Sequence, residues 1–344
     1  ESWNVGLDFA ALNNRLQGNL EYFNRTTRDM VGPPSPLPFT LGTGQPRENN
    51  ATLVSKGWEA ELKWRDYVGK VNYGLRLILS DDIQTVTQYY NPTGSLSTWY
   101  AGRRMGEIWG YTTAGIAKTN DEMNEHLKTN RPSWGDNWQA GDIMYKDLDG
   151  DDTVNGGANT LSDHGDLRRL GYNAPRFKVG FNADLTWQGL DFSFFLQGVG
   201  RRDWFDNSPY SVGATSHGQW QSVGFKEHWD FFRPEGDPNG ANLNARYPRP
   251  LFEKGAKNMQ TQSRYVVNAA YLRIKNIQLG YTLPASLTKK IGVSRLRVYT
   301  SADNLVTFTK LPKIFDPEAT GGDWGPGKIY PLQRVISCGL NVNI

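Results

Sequence analysis

From Phe177 to Gln188 the chain alternates apolar and polar residues for twelve positions, Phe-Lys-Val-Gly-Phe-Asn-Ala-Asp-Leu-Thr-Trp-Gln. Successive side chains of a strand point to opposite faces, so Phe177, Val179, Phe181, Ala183, Leu185 and Trp187 should share one surface, and Lys178, Asn182, Asp184 and Thr186 the other. A soluble strand usually runs to about 5–6 residues, whereas a tilted strand crossing a bilayer needs about 9–11. The segment is long enough to span, with one face for lipid and one for water.

The pattern repeats. Trp3, Val5, Leu7 and Phe9 alternate with polar or small residues, as do Trp58, Ala60, Leu62 and Trp64; Val71, Tyr73, Leu75, Leu77 and Leu79; and Ile336, Cys338, Leu340, Val342 and Ile344. Nine spans are predicted, near 2–9, 15–25, 53–65, 69–80, 177–187, 191–200, 265–282, 294–304 and 331–344. Short turns join some neighbours, at Asn13-Asn14, at Asp66 to Gly69 and at Gln188-Gly189-Leu190. Long segments near 26–52, 81–174, 201–263 and 305–330 separate the hairpins. Outer-membrane barrels pair short periplasmic turns with long extracellular loops, so the long segments are expected to face outward. Single-chain bacterial barrels close with even strand numbers. Nine strands therefore predict a piece of a larger barrel, with Glu1 at an extracellular loop and earlier strands on a preceding segment. Strand edges left unpaired in hydrocarbon would be costly.

Composition narrows the class further. The 344 residues are 38% hydrophobic with no run of 18 apolar positions, which excludes a transmembrane helix. A net charge of +3 without a basic run argues against nucleic acid. The single cysteine, Cys338, excludes an intrachain disulfide and lies on the apolar face of the last span. His126, His164, His217 and His228 have no metal-ligand or triad spacing, and no nucleophile elbow or P-loop is present. Gly198-Val199-Gly200 is only a fragment of a dinucleotide fingerprint. No enzyme is expected.

Specific segments resemble the SusC/RagA family of TonB-dependent outer-membrane transporters. They are Tyr271-Leu272-Arg273-Ile274-Lys275-Asn276-Ile277-Gln278-Leu279-Gly280-Tyr281-Thr282-Leu283-Pro284, Gly106-Glu107-Ile108-Trp109-Gly110-Tyr111, Asp142-Ile143-Met144-Tyr145-Lys146-Asp147, Gly165-Asp166 to Pro175-Arg176-Phe177, Asn304-Leu305-Val306-Thr307, Asp316-Pro317-Glu318 and Tyr330-Pro331-Leu332-Gln333-Arg334. The resemblance implies an all-β, membrane-spanning antiparallel barrel with long extracellular loops, 1–344 being the C-terminal part of a 22-stranded barrel whose plug domain and N-terminal strands lie outside this chain. It implies TonB-dependent import of oligosaccharides or oligopeptides across the bacterial outer membrane, with TonB reached through the plug and a SusD-like surface lipoprotein as lid. The rival reading is a surface-exposed, glycan-binding adhesin-type β-domain, whose strands would be shorter and whose outward faces would be polar.

Two groups of side chains carry candidate chemistry. Asp147-Leu148-Asp149-Gly150-Asp151-Asp152-Thr153-Val154-Asn155 sets carboxylates at alternate positions, as a loop for Ca2+ or Mg2+ would, with Thr153 offering its carbonyl. Asp152 stands where a sharp-turn glycine belongs, and Ala158 where a closing acid would; Asp163 or Asp166 would have to close the site. A solvated acidic turn is the alternative, and either role is structural. Eight tryptophans fall in the long segments, and Trp99, Trp109, Trp204, Trp220 and Trp324 are the candidates to stack on cargo, against the alternative that they pack the loops. Trp58, Trp64, Trp187 and Tyr281 suit interfacial girdles.

Overall fold

The computed structural model describes residues 1–344 except 35–39, 41, 206–223, 252–254 and 321–328. All nine spans appear as strands of one antiparallel sheet. In order across it they are β1 (Ser2–Ala11), β2 (Leu16–Val31), β3 (Asn49–Val68), β4 (Val71–Tyr89), β11 (Arg176–Trp187), β12 (Leu190–Arg201), β15 (Tyr271–Thr282), β16 (Arg295–Thr309) and β17 (Val335–Asn343). Every strand pairs with its neighbour in sequence among the nine, so the sheet is a meander. Its two edges, β1 and β17, pair on one side only among the described residues. No helix of the described residues is long and apolar enough to cross a membrane.

The register converts period-two alternation into two chemically distinct surfaces. One row across the strands reads Ala11, Leu16, Trp64, Leu75, Ala183, Phe194, Ile277, Ala302, Ile336, every member apolar. One residue away along the strands the row reads Ala10, Gln17, Lys63, Arg76, Asn182, Phe195, Asn276, Asp303, Val335, polar at six positions. A one-residue slip would exchange the two surfaces, so the row chemistry also fixes the register. Large apolar groups stand exposed on the first surface, among them Val5, Leu7, Leu20, Leu62, Leu75, Leu185, Leu279 and Leu340. The second surface is laced by charge. Arg76 grips Glu61 with two bonds of 3.1 and 2.9 Å, and Asn276 donates to Asp303 at 2.7 Å. Arg297 reaches Asp191 across the intervening strand, passing over Gly280, where a Cβ would lie 2.4 Å from the Arg297 Nη2.

Turn chemistry agrees with position. Trp187 pairs with Leu190 around Gln188 and Gly189, both with positive φ, the two-residue hairpin whose twist matches that of its strands. Trp187 and Tyr281 stand exposed beside this end, and Trp64 Nε1 donates to the Tyr73 hydroxyl at 3.3 Å. An aromatic band therefore marks the short-turn rim.

Several boundaries differ from expectation. β2, β3, β4 and β16 run beyond the sequence-derived ends, so the long segments begin farther out than 26–52, 81–174 and 305–330. Beyond the apolar band neither face must be greasy, and alternation fades while the ladder continues. The β3–β4 turn is Gly69-Lys70, since Val68 still pairs with Val71. The span at 265–282 starts at Tyr271; Val267–Asn268 (β14) leaves the sheet to pair with Asp203–Trp204 (β13). The last strand starts at Val335, not 331. Phe177 takes φ +54° and its N–H bonds Asp81, so the regular alternation of β11 begins only at Lys178.

The long segments between β4 and β11 and between β12 and β15 build a second core. Ile116, Ile143, Tyr145, Val154, Phe232, Tyr247, Met259 and Tyr265 are buried together, with Trp134 and Trp138 packed against them. Small strand pairs frame it, β6 (Thr113–Ile116) with β8 (Ile143–Tyr145), β7 (Arg131–Pro132) with β9 (Thr153–Val154), and β5 (Glu107–Tyr111) with β10 (Leu167–Tyr172).

Candidate functional site

The polar surface of the sheet and the loop assembly at its long-loop end form the candidate site. Arg273 of β15 sits on the polar surface, 3% exposed, and holds the loop before β17. It donates to Thr307 Oγ1, Glu318 and Asp316, each at 2.7 Å, and Lys275 adds a 3.1 Å contact to Glu318. Lys275 is an extra residue at a register shift between Ile274 and Asn276, which sends two consecutive polar residues to one side. That loop is thereby tied to the polar surface.

Asp142 organises the loop core and was not singled out for chemistry in the sequence. It is wholly buried. It receives two bonds from Arg249 at 2.8 and 3.1 Å, one from Asn258 at 3.0 Å, the Gln139 N–H at 3.0 Å, and the Lys257 ammonium at 2.8 Å. Burial pushes Lys257 below the ordinary lysine range, against the opposing pull of Asp142. Its ammonium also lies 4.8 Å from the Trp138 ring. Tyr145 is enclosed beside it, donating to the Lys257 carbonyl at 3.2 Å, and burial raises its phenol well above the usual value. These are fully satisfied groups; they hold shape and offer no free acid or base.

The acidic loop is ordered by its own backbone. Asp147, Asp149 and Asp151 bring one carboxylate oxygen each within 4.8 Å of one another. Asp147 accepts from the amides of Asp149, Gly150 and Asp152 at 3.0, 2.7 and 2.8 Å. Desolvation raises its carboxyl, but the amides of Gly150, Asp152 and Asp149 outweigh it and hold the group below the ordinary value. Asp149 goes the other way, pushed up by desolvation and then by the charges of Asp166 and Asp151. Asp166 does not join the three. Both its oxygens are engaged by backbone, Leu148 N–H at 2.5 Å and Asn155 N–H at 2.8 Å. Asp163 closes its own turn onto the Ala158 amide at 3.1 Å, and the Thr153 carbonyl accepts from Asn155 Nδ2 at 3.0 Å. The structure thus gathers three of the expected ligands and assigns Asp163 and Asp166 to pinning the loop.

The tryptophans divide. Trp204 is 2% exposed and packs edge-on against Phe315 at 4.7 Å, so its ring faces protein. Trp99 is half-buried against Tyr89. Trp109 donates its Nε1–H to Glu107 at 3.0 Å and lies beside the His164 ring. Glu107 also receives Tyr100 and Arg169; burial would raise its carboxyl, yet these bonds keep it low. Trp220 and Trp324 lie outside the described residues.

Comparison with known proteins places this geometry. No family model matches. A "TonB-dependent receptor P3" from Formosa agariphila is 27% identical over 374 aligned positions, covering 98% of the chain and 33% of the relative. The TonB-dependent receptor SusC from Bacteroides thetaiotaomicron is 24% identical, covering 99% of the chain and 31% of the relative. Among solved structures, that of the RagAB peptide transporter superposes with a TM-score of 0.71 at 24% identity, covering 99% of this chain and 35% of that one. The chain spans about a third of the length of the curated relatives it matches.

Proposed function

We propose that this chain, a homologue along its whole length of TonB-dependent receptors that include SusC, is the C-terminal part of an outer-membrane barrel that imports oligosaccharides or oligopeptides with energy delivered through TonB. The observation that carries the reading is the pair of adjacent rows, one apolar across all nine strands and the next polar at six positions. A sheet so built suits lipid outside and water inside. Strands of 9–20 residues and exposed apolar faces weigh against an adhesin domain in water. The homologues are receptors and transporters, not enzymes.

A barrel wide enough for oligomers is an open channel unless something fills and covers it. We assign the filling to a plug domain and the covering to a SusD-like lipoprotein seated on the long loops, with the one-sided edges β1 and β17 completed by further strands of a 22-stranded barrel. The acidic loop would hold Ca2+ or Mg2+ on Asp147, Asp149 and Asp151 and so stiffen residues 142–174. Disruption of the encoding gene tests the transport reading. Growth on one class of oligomer, peptide or glycan, should be lost and should return with the gene only in cells with functional TonB. Undiminished growth on both classes, or a chain found in the soluble fraction without detergent, overturns it. Lid and cation have separate tests: a lipoprotein retained through purification from native membranes, and bound divalent metal that disappears when the three aspartates become asparagine.

A further inference from the structure

Where the polar surface meets the loop assembly, β4, β10, β11 and the end of β12 enclose a cavity of about 260 Å³. Asp82, Gln84 and Lys178 reach it from the polar surface, sharing the parity of Arg76 and Asn182. Arg201 enters from the last position of β12, Arg104 and Met105 from the loop, and Tyr172 from β10. The walls therefore carry four cations, Arg104, Arg176, Lys178 and Arg201, and one carboxylate, Asp82. Two of the four are satisfied: Arg176 grips Asp81 with both arms, and Lys178 lies 2.8 Å from Asp82. The other two are not. Arg104 stacks 5.7 Å over the Tyr172 ring, and neither its guanidinium nor that of Arg201 meets a carboxylate among the described residues.

We propose that Arg104 and Arg201 form a carboxylate-binding subsite at the mouth of the lumen, taking an acidic unit of the cargo. Guanidinium groups present paired N–H donors that match a carboxylate in a bidentate manner, and two of them lining one cavity without a carboxylate partner favour an anion there. The Tyr172 ring holds the Arg104 guanidinium in place; Met105, Ala174 and Pro175 give the ligand an apolar wall. The cavity falls near the small end of ligand sites, about 300 Å³, so it accommodates one residue or sugar ring and not an oligomer. The ligand class is therefore a single carboxylate-bearing unit, an acidic amino acid of a peptide or a uronic acid of a glycan. The inference rests on the transport reading only for how such a unit arrives there.

Calorimetry on the complete outer-membrane protein in detergent at low salt tests it with two matched pairs. One pair is an alanine pentapeptide carrying a single Glu and its Gln counterpart; the other is trigalacturonate and its methyl ester. In one pair the acidic member should bind about tenfold or more tighter than its neutral counterpart, and which pair does so identifies the source of the carboxylate. R104Q/R201Q should abolish that preference, and R104K/R201K should restore part of it. Heat-modifiable migration of each variant confirms a closed barrel. No acidic preference in either pair, or a preference that survives R104Q/R201Q in a closed barrel, overturns the subsite. TonB-dependent growth is scored separately, so a failed subsite with intact uptake leaves the transport reading standing.

Discussion

The sheet and the loop assembly treat their apolar side chains in opposite ways. In the sheet, Trp3, Val5, Leu7, Leu62, Leu185 and Leu340 stand exposed in register; in the loops, Tyr145, Tyr265, Ile143, Met123 and Val154 are enclosed. Charges invert likewise. Arg76 and Glu61 pair on the accessible polar surface of the sheet, whereas Asp142 and Lys257 are paired in a closed core. One chain is therefore folded for two solvents. Hydrocarbon solvates the sheet's apolar face directly, so that face needs no protein cover, while loops in water must assemble their own core or lose order.

The largest effect should come from the loop core. Asp142→Ala leaves Lys257 and Arg249 without their carboxylate and should destabilise the assembly by about 3–5 kcal/mol. Hydrogen exchange should quicken through 113–154 and 245–265 while the nine-stranded sheet keeps its protection. Equal loss in both regions would show that loops and sheet are one cooperative unit. Next comes the test of the two faces. Phe181→Arg should cost about 2–4 kcal/mol near the bilayer midplane, and Asn182→Arg, one residue along on the polar surface, should cost little, both measured by denaturant titration in lipid. Matching losses would erase the distinction between the faces.

The smallest effect is a pH response confined to the loops. His126 Nε2 donates to the Tyr145 carbonyl at 2.6 Å, and burial lowers the imidazole's pKa below its ordinary 6.5, outweighing that bond. The unfolded segment then binds a proton more readily than the folded one. The stabilisation is complete above pH 6.5 and fades as pH falls through the lower folded value. Protease nicking near 120–146 should increase on acidification, and His126→Gln should flatten the response. A response unchanged in that variant assigns it to other groups.

The nine strands were legible because lipid enforces a strict alternation that few other environments require. The bulge at Lys275 leaves only a faint sign in the sequence, two polar residues between apolar partners in Ile274-Lys275-Asn276-Ile277, inside what alternation predicts as one span. The loop core was not legible. Its contacts join positions such as Asp142 and Arg249, or Thr113 and Ser263, far apart in a chain whose intervening residues show no period. Trp204 illustrates the cost of this: an aromatic in a Gly- and Asn-rich segment looks the same in sequence whether it faces cargo or Phe315. Asp166 does as well, because its role as an acceptor of two amides depends on a fold-back that spacing does not encode.

Gly280 has a mechanical consequence. With no side chain there, Arg297 on β16 lies across β15 to meet Asp191 on β12, so one ion pair clasps three strands. Each ladder of backbone bonds resists sliding only between two neighbours. A clasp that skips a strand couples the two seams on either side of β15, and shear along one is opposed by tension transmitted from the other.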